Sequence, residues 1–139
     1  MSEPLKLRAR DTDDLAVISA MIQDALVPLA DMAYLPDEQR FVMALNRYRW
    51  DAPAEPSRTH ALLSVQGAAR VRTRGVDRRE PDRILNLLSL TWAEDDSALL
   101  VAFAGGGTLR LESDSLDCLL EDVGEPWPAQ ATPSHPDEG

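Results

Sequence analysis

A chain of 139 residues, 44% of them apolar and with a formal net charge of −10, has the size and composition of one folded domain rather than of a disordered polymer. No apolar run approaches the ~20 residues a membrane-spanning helix needs, and the acidic excess argues against general binding to nucleic acid or to anionic membranes. One cysteine, Cys118, excludes an internal disulfide and a cysteine-based zinc site.

The opening Met-Ser-Glu-Pro-Leu-Lys-Leu lacks the basic-then-apolar pattern of a secretory leader, so the expected compartment is the cytoplasm. Thirteen of the 14 basic residues are arginine, which together with abundant alanine suggests a GC-rich, bacterial coding bias. The charge is unevenly spread. Residues 1–46 carry four basic and eight acidic side chains, residues 47–83 nine and five, and residues 84–139 one and eleven. The plain reading is that the basic middle pairs with its acidic flanks; the sharper one is a local anion or partner site.

In chain order, Leu5 and Leu7 alternate with Lys6 and Arg8 as in a short edge strand. Residues 12–26 read as a helix. Asp11 or Thr12 can cap it, Asp13 and Asp14 sit in the first turn, and Leu15, Ile18, Ile22, Ala25 and Leu26 repeat at helical spacing. Residues 29–50 read as a hairpin, Leu29–Leu35 and Arg40–Trp50, turned at Pro36-Asp37-Glu38-Gln39. Arg47 and Arg49 follow Phe41, Met43 and Leu45 along one face, near an end expected to reach solvent. Pro53 and Pro56 mark residues 51–59 as a loop.

Residues 60–75 predict a long strand, or a bent pair, with a bulge or turn at Gly67-Ala68-Ala69. Within it Arg70, Arg72 and Arg74 share one face, because side chains alternate along a strand. A charged loop with Arg78 and Arg79 follows. Residues 83–94 fit a helical turn or a strand, and Leu88, Leu90 and Trp92 favour the strand. Leu99, Val101 and Phe103 pair with Leu109 and Leu111 as a second hairpin about Gly105-Gly106-Gly107. Leu116, Leu119, Leu120 and Val123 at i, i+3, i+4 and i+7, with Gly124 after them, predict a short C-terminal helix.

Most candidate sites have plain explanations. The three glycines precede an alternating strand, whereas a phosphate loop leads into a helix. Asp13 and Asp14 suit a helix start, and Glu94, Asp95 and Asp96 form a turn without calcium-loop spacing. His60 and His135 assemble with no nucleophile, Cys118 reads as a small buried apolar residue, and Tyr48, Trp50 and Trp92 read as core. The arginine ladder is more open. Alternate strand residues lie roughly 7 Å apart, where two unit charges in water repel by only about 0.6 kcal/mol. The ladder can therefore stand as a solvated, salt-bridged face. The alternative is that it holds a carboxylate, a phosphate or an acidic partner with the help of Arg47, Arg49, Arg78 and Arg79, since the guanidinium is a planar fork of donors.

Asp31-Met-Ala-Tyr-Leu-Pro36, Arg40-Phe-Val-Met-Ala-Leu-Asn-Arg-Tyr-Arg-Trp50, Arg74-Gly-Val-Asp-Arg78 and Phe103-Ala-Gly-Gly-Gly-Thr-Leu-Arg-Leu111 resemble a small bacterial family, domain of unknown function twenty-nine forty-eight. The resemblance runs from Leu5 to about Trp127. It implies a cytoplasmic bacterial protein of this size, and neither an activity nor catalytic residues.

The expected architecture is α+β: a mainly antiparallel sheet of six to seven strands with an N-terminal and a C-terminal helix. A partial, pleckstrin-homology-like barrel and a duplicated β-unit are the two variants in view. Residues 1–124 form the domain and residues 125–139 a flexible, proline-rich tail, with Trp127 able to dock back. The favoured function is a non-catalytic binding or adaptor protein that presents its arginine face to an acidic protein or small anion. The alternative is a small enzyme acting on an anionic metabolite, with the arginines as clamps. No cofactor, metal, nucleic-acid or membrane partner is expected, and homodimerisation through sheet edges is compatible with either reading.

Overall fold

Asp11 starts the one α-helix of the described residues, α1 (Thr12–Met21), its Oδ1 accepting the Asp14 N–H at 2.8 Å. The helix stops short of the expected residue 26 because Asp24 takes a left-handed conformation, φ 63°. The chain then turns to strand: Asp24 N–H donates to the Leu87 carbonyl at 2.8 Å and Leu87 N–H to the Ala25 carbonyl at 2.9 Å. The computed structural model describes residues 4–77, 79–80 and 82–129.

The remainder is β-structure. The strands are β1 (Lys6–Ala9), β2 (Leu26–Pro28), β3 (Met32–Leu35), β4 (Arg40–Tyr48), β5 (Ser57–Gln66), β6 (Ala68–Arg74), β7 (Ile84–Ala93), β8 (Ala98–Phe103), β9 (Thr108–Ser113) and β10 (Cys118–Pro128). Every pairing among them is antiparallel, in the order β1-β10-β5-β4-β2-β7-β8-β9-β6, with β3 beside β4. Ten strands and a single α-helix among the described residues overturn the α+β expectation of six to seven strands with a helix at each end.

The expected C-terminal helix is β10. Its leucine spacing is helical, but Cys118, Leu120 and Asp122 alternate inward, and Cys118 and Leu120 are fully buried against β5. Gly124, φ 78°, lies within a register shift between Val123 and Trp127 instead of capping a helix. β10 runs on to Pro128, past the expected boundary at Gly124, and the Trp127 ring stacks on His60 at 4.7 Å. Residues 130–139, with His135, lie outside the described residues.

Both expected hairpins form, β3 with β4 about Pro36–Glu38 and β8 with β9 about Gly105-Gly106-Gly107, and a further tight turn at Glu94–Asp96 joins β7 to β8. Pro36–Glu38 and Glu94–Asp96 are 3-10 turns closed by left-handed residues, Gln39 (φ 47°) and Ser97 (φ 48°). The Gln39 carbonyl accepts from Ala68 N–H at 2.8 Å and the Ser97 carbonyl from Ser113 N–H at 2.9 Å. The first expected strand is shorter than predicted, since Leu29–Asp31 also form a 3-10 turn. Residues 84–93 are a strand, with a shift between Leu87 and Ser89 that changes which residues point inward. Leu85, Leu87 and Leu90 are therefore buried while Leu88 is exposed.

β5 and β6 are one strand bent at Gly67 (φ 75°), where an added Cβ would lie 3.2 Å from Ser113 Oγ. Because β5 sits inside the sheet and β6 at its end, the bend carries the sheet back on itself. One core results, drawn from Ile18 on the helix, Met43 and Leu63 on one half of the sheet, and Val101 and Leu111 on the other.

Candidate functional site

The Gly67 bend sends the arginine ladder to a sheet edge. On β6, Arg70, Arg72 and Arg74 point outward, with the Arg70 and Arg72 side chains 61% and 58% exposed, while Val71 and Thr73 turn inward and are half-buried. β9 supplies the one strand partner of β6 among the described residues. Arg70 lies across from Glu112, Arg72 from Arg110 and Arg74 from Thr108.

Glu112 is shared three ways. Its carboxylate lies 3.6 Å from Arg70 Nε, 4.0 Å from Arg72 Nε and 3.5 Å from Arg110 Nε, and Arg110 reaches Asp96 at 3.7 Å. Four guanidinium groups thus face two carboxylates, and Arg74 makes no ion pair among the described residues. All of these separations exceed a short charge-assisted hydrogen bond, ~2.7–2.9 Å. The face is loosely held, with positive charge left over.

Arg47 is the opposite case. Fully buried, it donates from Nε and Nη2 to both Asp122 oxygens at 2.8 Å and from Nη1 to Asp51 at 2.9 Å. Burial works against its charge, but the hydrogen bonds it donates to both aspartates, with their charges, outweigh that and raise its pKa. Asp122 also accepts from Leu5 N–H at 2.8 Å, which ties β10 to the N-terminal segment. Arg49 is buried too, with Nη1 on Ser57 Oγ at 3.0 Å. The expectation that this end of β4 reaches solvent fails, because the Phe41 face continues into the core.

Nor does Arg47 join the ladder. Arg40 pairs with Gln66 beside Gly67, whereas Arg47 pairs with Thr59, roughly 20 Å further along the strand. Arg79 is spent on its own turn, its Nε 3.0 Å from Asp77 Oδ1 and its side chain 90% exposed. Arg78 lies outside the described residues. Of the seven candidate arginines, the structure brings together Arg70, Arg72 and Arg74, and it adds Arg110, whose place opposite Arg72 only strand register reveals.

Behind β6 lies a feature with no sequence signal, a cavity of about 250 Å³ lined by Met32, Tyr34, Phe41, Val71, Thr73 and Phe103 among others, none of them charged. It separates β6 from β3, which among the described residues pairs with β4 alone. A second, outer depression between Leu26, Ala44, Leu62 and Val123 is mostly apolar, with Asp31, Asn46 and His60 also in its lining and no arginine.

The other reactive groups are engaged elsewhere. Burial, then the Asp117 charge, pushes the Cys118 thiol up to about 12. Trp50 Nε1 donates to the Gln23 carbonyl at 3.0 Å and Trp92 Nε1 to Glu94 at 2.6 Å, so the two indoles anchor separate elements. Among the described residues no group of three or more His, Cys, Asp or Glu side chains could hold a metal ion, and no helix is long and apolar enough to cross a membrane.

Residues 5–135 match the family model described as a protein of unknown function, DUF2948. The chain belongs to this family. No curated protein and no solved structure matches it. The resemblance carried by the four sequence stretches is thereby confirmed, and the DUF2948 description brings no activity with it.

Proposed function

We propose that the chain is a non-catalytic binding protein that presents the β6 arginine face to an acidic partner. The observation that carries this reading is the imbalance on the β6–β9 surface: Arg70, Arg72, Arg74 and Arg110 against Glu112 and Asp96, on a chain whose net charge is −10. An acidic chain that keeps four arginines on one face has a surface opposite in sign to its own bulk, one that attracts negative groups.

The spacing favours an extended partner over a small anion. Arg70 and Arg74 stand roughly 13 Å apart along the strand, beyond the reach of a single phosphate or carboxylate. The test is binding of a labelled glutamate-rich peptide to the wild type and to Arg70→Ser/Arg72→Ser/Arg74→Ser. The triple variant should keep its melting temperature and lose the peptide, and wild-type binding should weaken as salt rises. Equal binding by a folded triple variant overturns the reading.

A further inference from the structure

Resting on the arginine face as docking surface, we infer that the partner binds as an added β-strand along the free edge of β6, and that it alternates acidic and apolar residues. The seam between β3 and β6 is pinned at one end, where Tyr34 Oη donates to the Ala68 carbonyl at 2.7 Å and Ala68 N–H donates to the Gln39 carbonyl at 2.8 Å. Past Ala68 no strand pairing links β3 and β6 among the described residues. The free side of β6 is therefore an unpaired row of main-chain donors and acceptors, a template for another strand.

The side chains around that edge specify what fits. A strand laid on β6 places the residues across from Arg70, Arg72 and Arg74 on the outer face, with Cβ atoms ~5 Å from those of the arginines. Carboxylates there complete the charge balance that Glu112 and Asp96 leave open. The alternate residues turn inward beside Val71 and Thr73, over the uncharged cavity. At about 250 Å³ it has room for the one or two side chains that face it. Charge outside and apolar volume inside, in strand alternation, describe one kind of ligand.

Other occupants fit poorly. Antiparallel pairing of β6 with β6 of a second copy sets arginine against arginine, and β1, at the opposite end of the strand order, presents Lys6 and Arg8 on its exposed face. Residues 130–139 of the same chain, Gln-Ala-Thr-Pro-Ser-His-Pro-Asp-Glu-Gly, hold two prolines and no such alternation. The same charges that hold copies apart select an acidic strand.

Four blocked peptides of about nine residues, enough to span β6, test this on the full chain: one alternating glutamate and valine, one with the same residues in two blocks, and two alternating peptides N-methylated at every second position, one in each phase. The alternating peptide should bind and slow amide exchange over Arg70–Arg74. The block peptide should bind at least about tenfold more weakly, because it cannot set a carboxylate across from each arginine and an apolar side chain inward between them. One methylation phase should abolish binding, because successive N–H groups of a strand point to opposite edges. Equal binding of alternating and block peptides, with β6 exchange unchanged, overturns strand addition; if Arg70→Ser/Arg72→Ser/Arg74→Ser abolishes both, the arginine surface stands without it. Failure of the alternating peptide to bind wild type overturns the inference outright, and undiminished binding to the triple variant overturns the arginine reading beneath it.

Discussion

Arg72 and Arg110 face each other directly across the β6–β9 pair, and Glu112 is the carboxylate they share. Like charges opposite one another on a sheet are destabilising, so this pair depends on Glu112 and on solvent to be tolerated. Glu112→Gln should cost no more than about 1 kcal/mol in urea denaturation, because all four groups are partly exposed. It should also tighten binding of an acidic peptide and steepen its salt dependence. Weaker peptide binding by a stable Glu112→Gln would show that the arginines need Glu112 to hold them in position.

Arg47 belongs to a different regime. Removing it by Arg47→Met strands Asp122, whose side chain is only 5% exposed, and a buried charge without its partner is costly. The expected loss is about 3–5 kcal/mol by chemical denaturation. Arg47→Met/Asp122→Leu should recover much of it. A double variant as unstable as the single one would mean that the ion pair itself, and not the orphaned aspartate, carries the energy.

Acid should attack the fold through Asp51 and Asp117. Burial tends to raise the Asp51 pKa, but the hydrogen bond and charge of Arg47 outweigh it and the net shift is downward. At Asp117 the Arg8 hydrogen bond is the leading cause of a downward shift. A carboxylate depressed in the fold stabilises it above the unfolded value, ~3.9, and loses that contribution as pH falls through the lower folded value. The melting temperature should hold down to about pH 5 and drop below pH 4. Asp51→Asn should melt lower at neutral pH and fall less steeply in acid; parallel acid limbs for variant and wild type would exclude Asp51 as a contributor.

Cys118 should be inert in the native state. It is fully buried, and a thiol pushed up to about 12 is ionised at pH 8 in only about one molecule in ten thousand. A disulfide-exchange reagent should therefore label it at the rate of chain opening, faster as urea is added and completely once unfolded. Rapid labelling of folded protein would contradict the burial of β10.

The hairpins, the Gly67 bend and the outward arginines of β6 could be read along the chain, because turn residues and period-two alternation are properties of neighbours. β10 could not. Its third inward residue is Asp122, so its alternation looks broken, while its leucines happen to repeat at helical spacing. The strand makes sense only with Arg47, 75 residues earlier, which converts an inward aspartate from a penalty into a bidentate ion pair. That pair also removes Arg47 from the candidate site.

The sequence by itself determined that β6 carries three arginines on one face, since strand geometry leaves successive side chains no other arrangement. Tertiary structure decided what that face is worth. Curling the sheet left β6 without a strand on one side among the described residues, placed Arg110 opposite Arg72, and opened a cavity behind Val71 and Thr73. Each depends on strands far apart in sequence meeting in one register, which local periodicity does not encode.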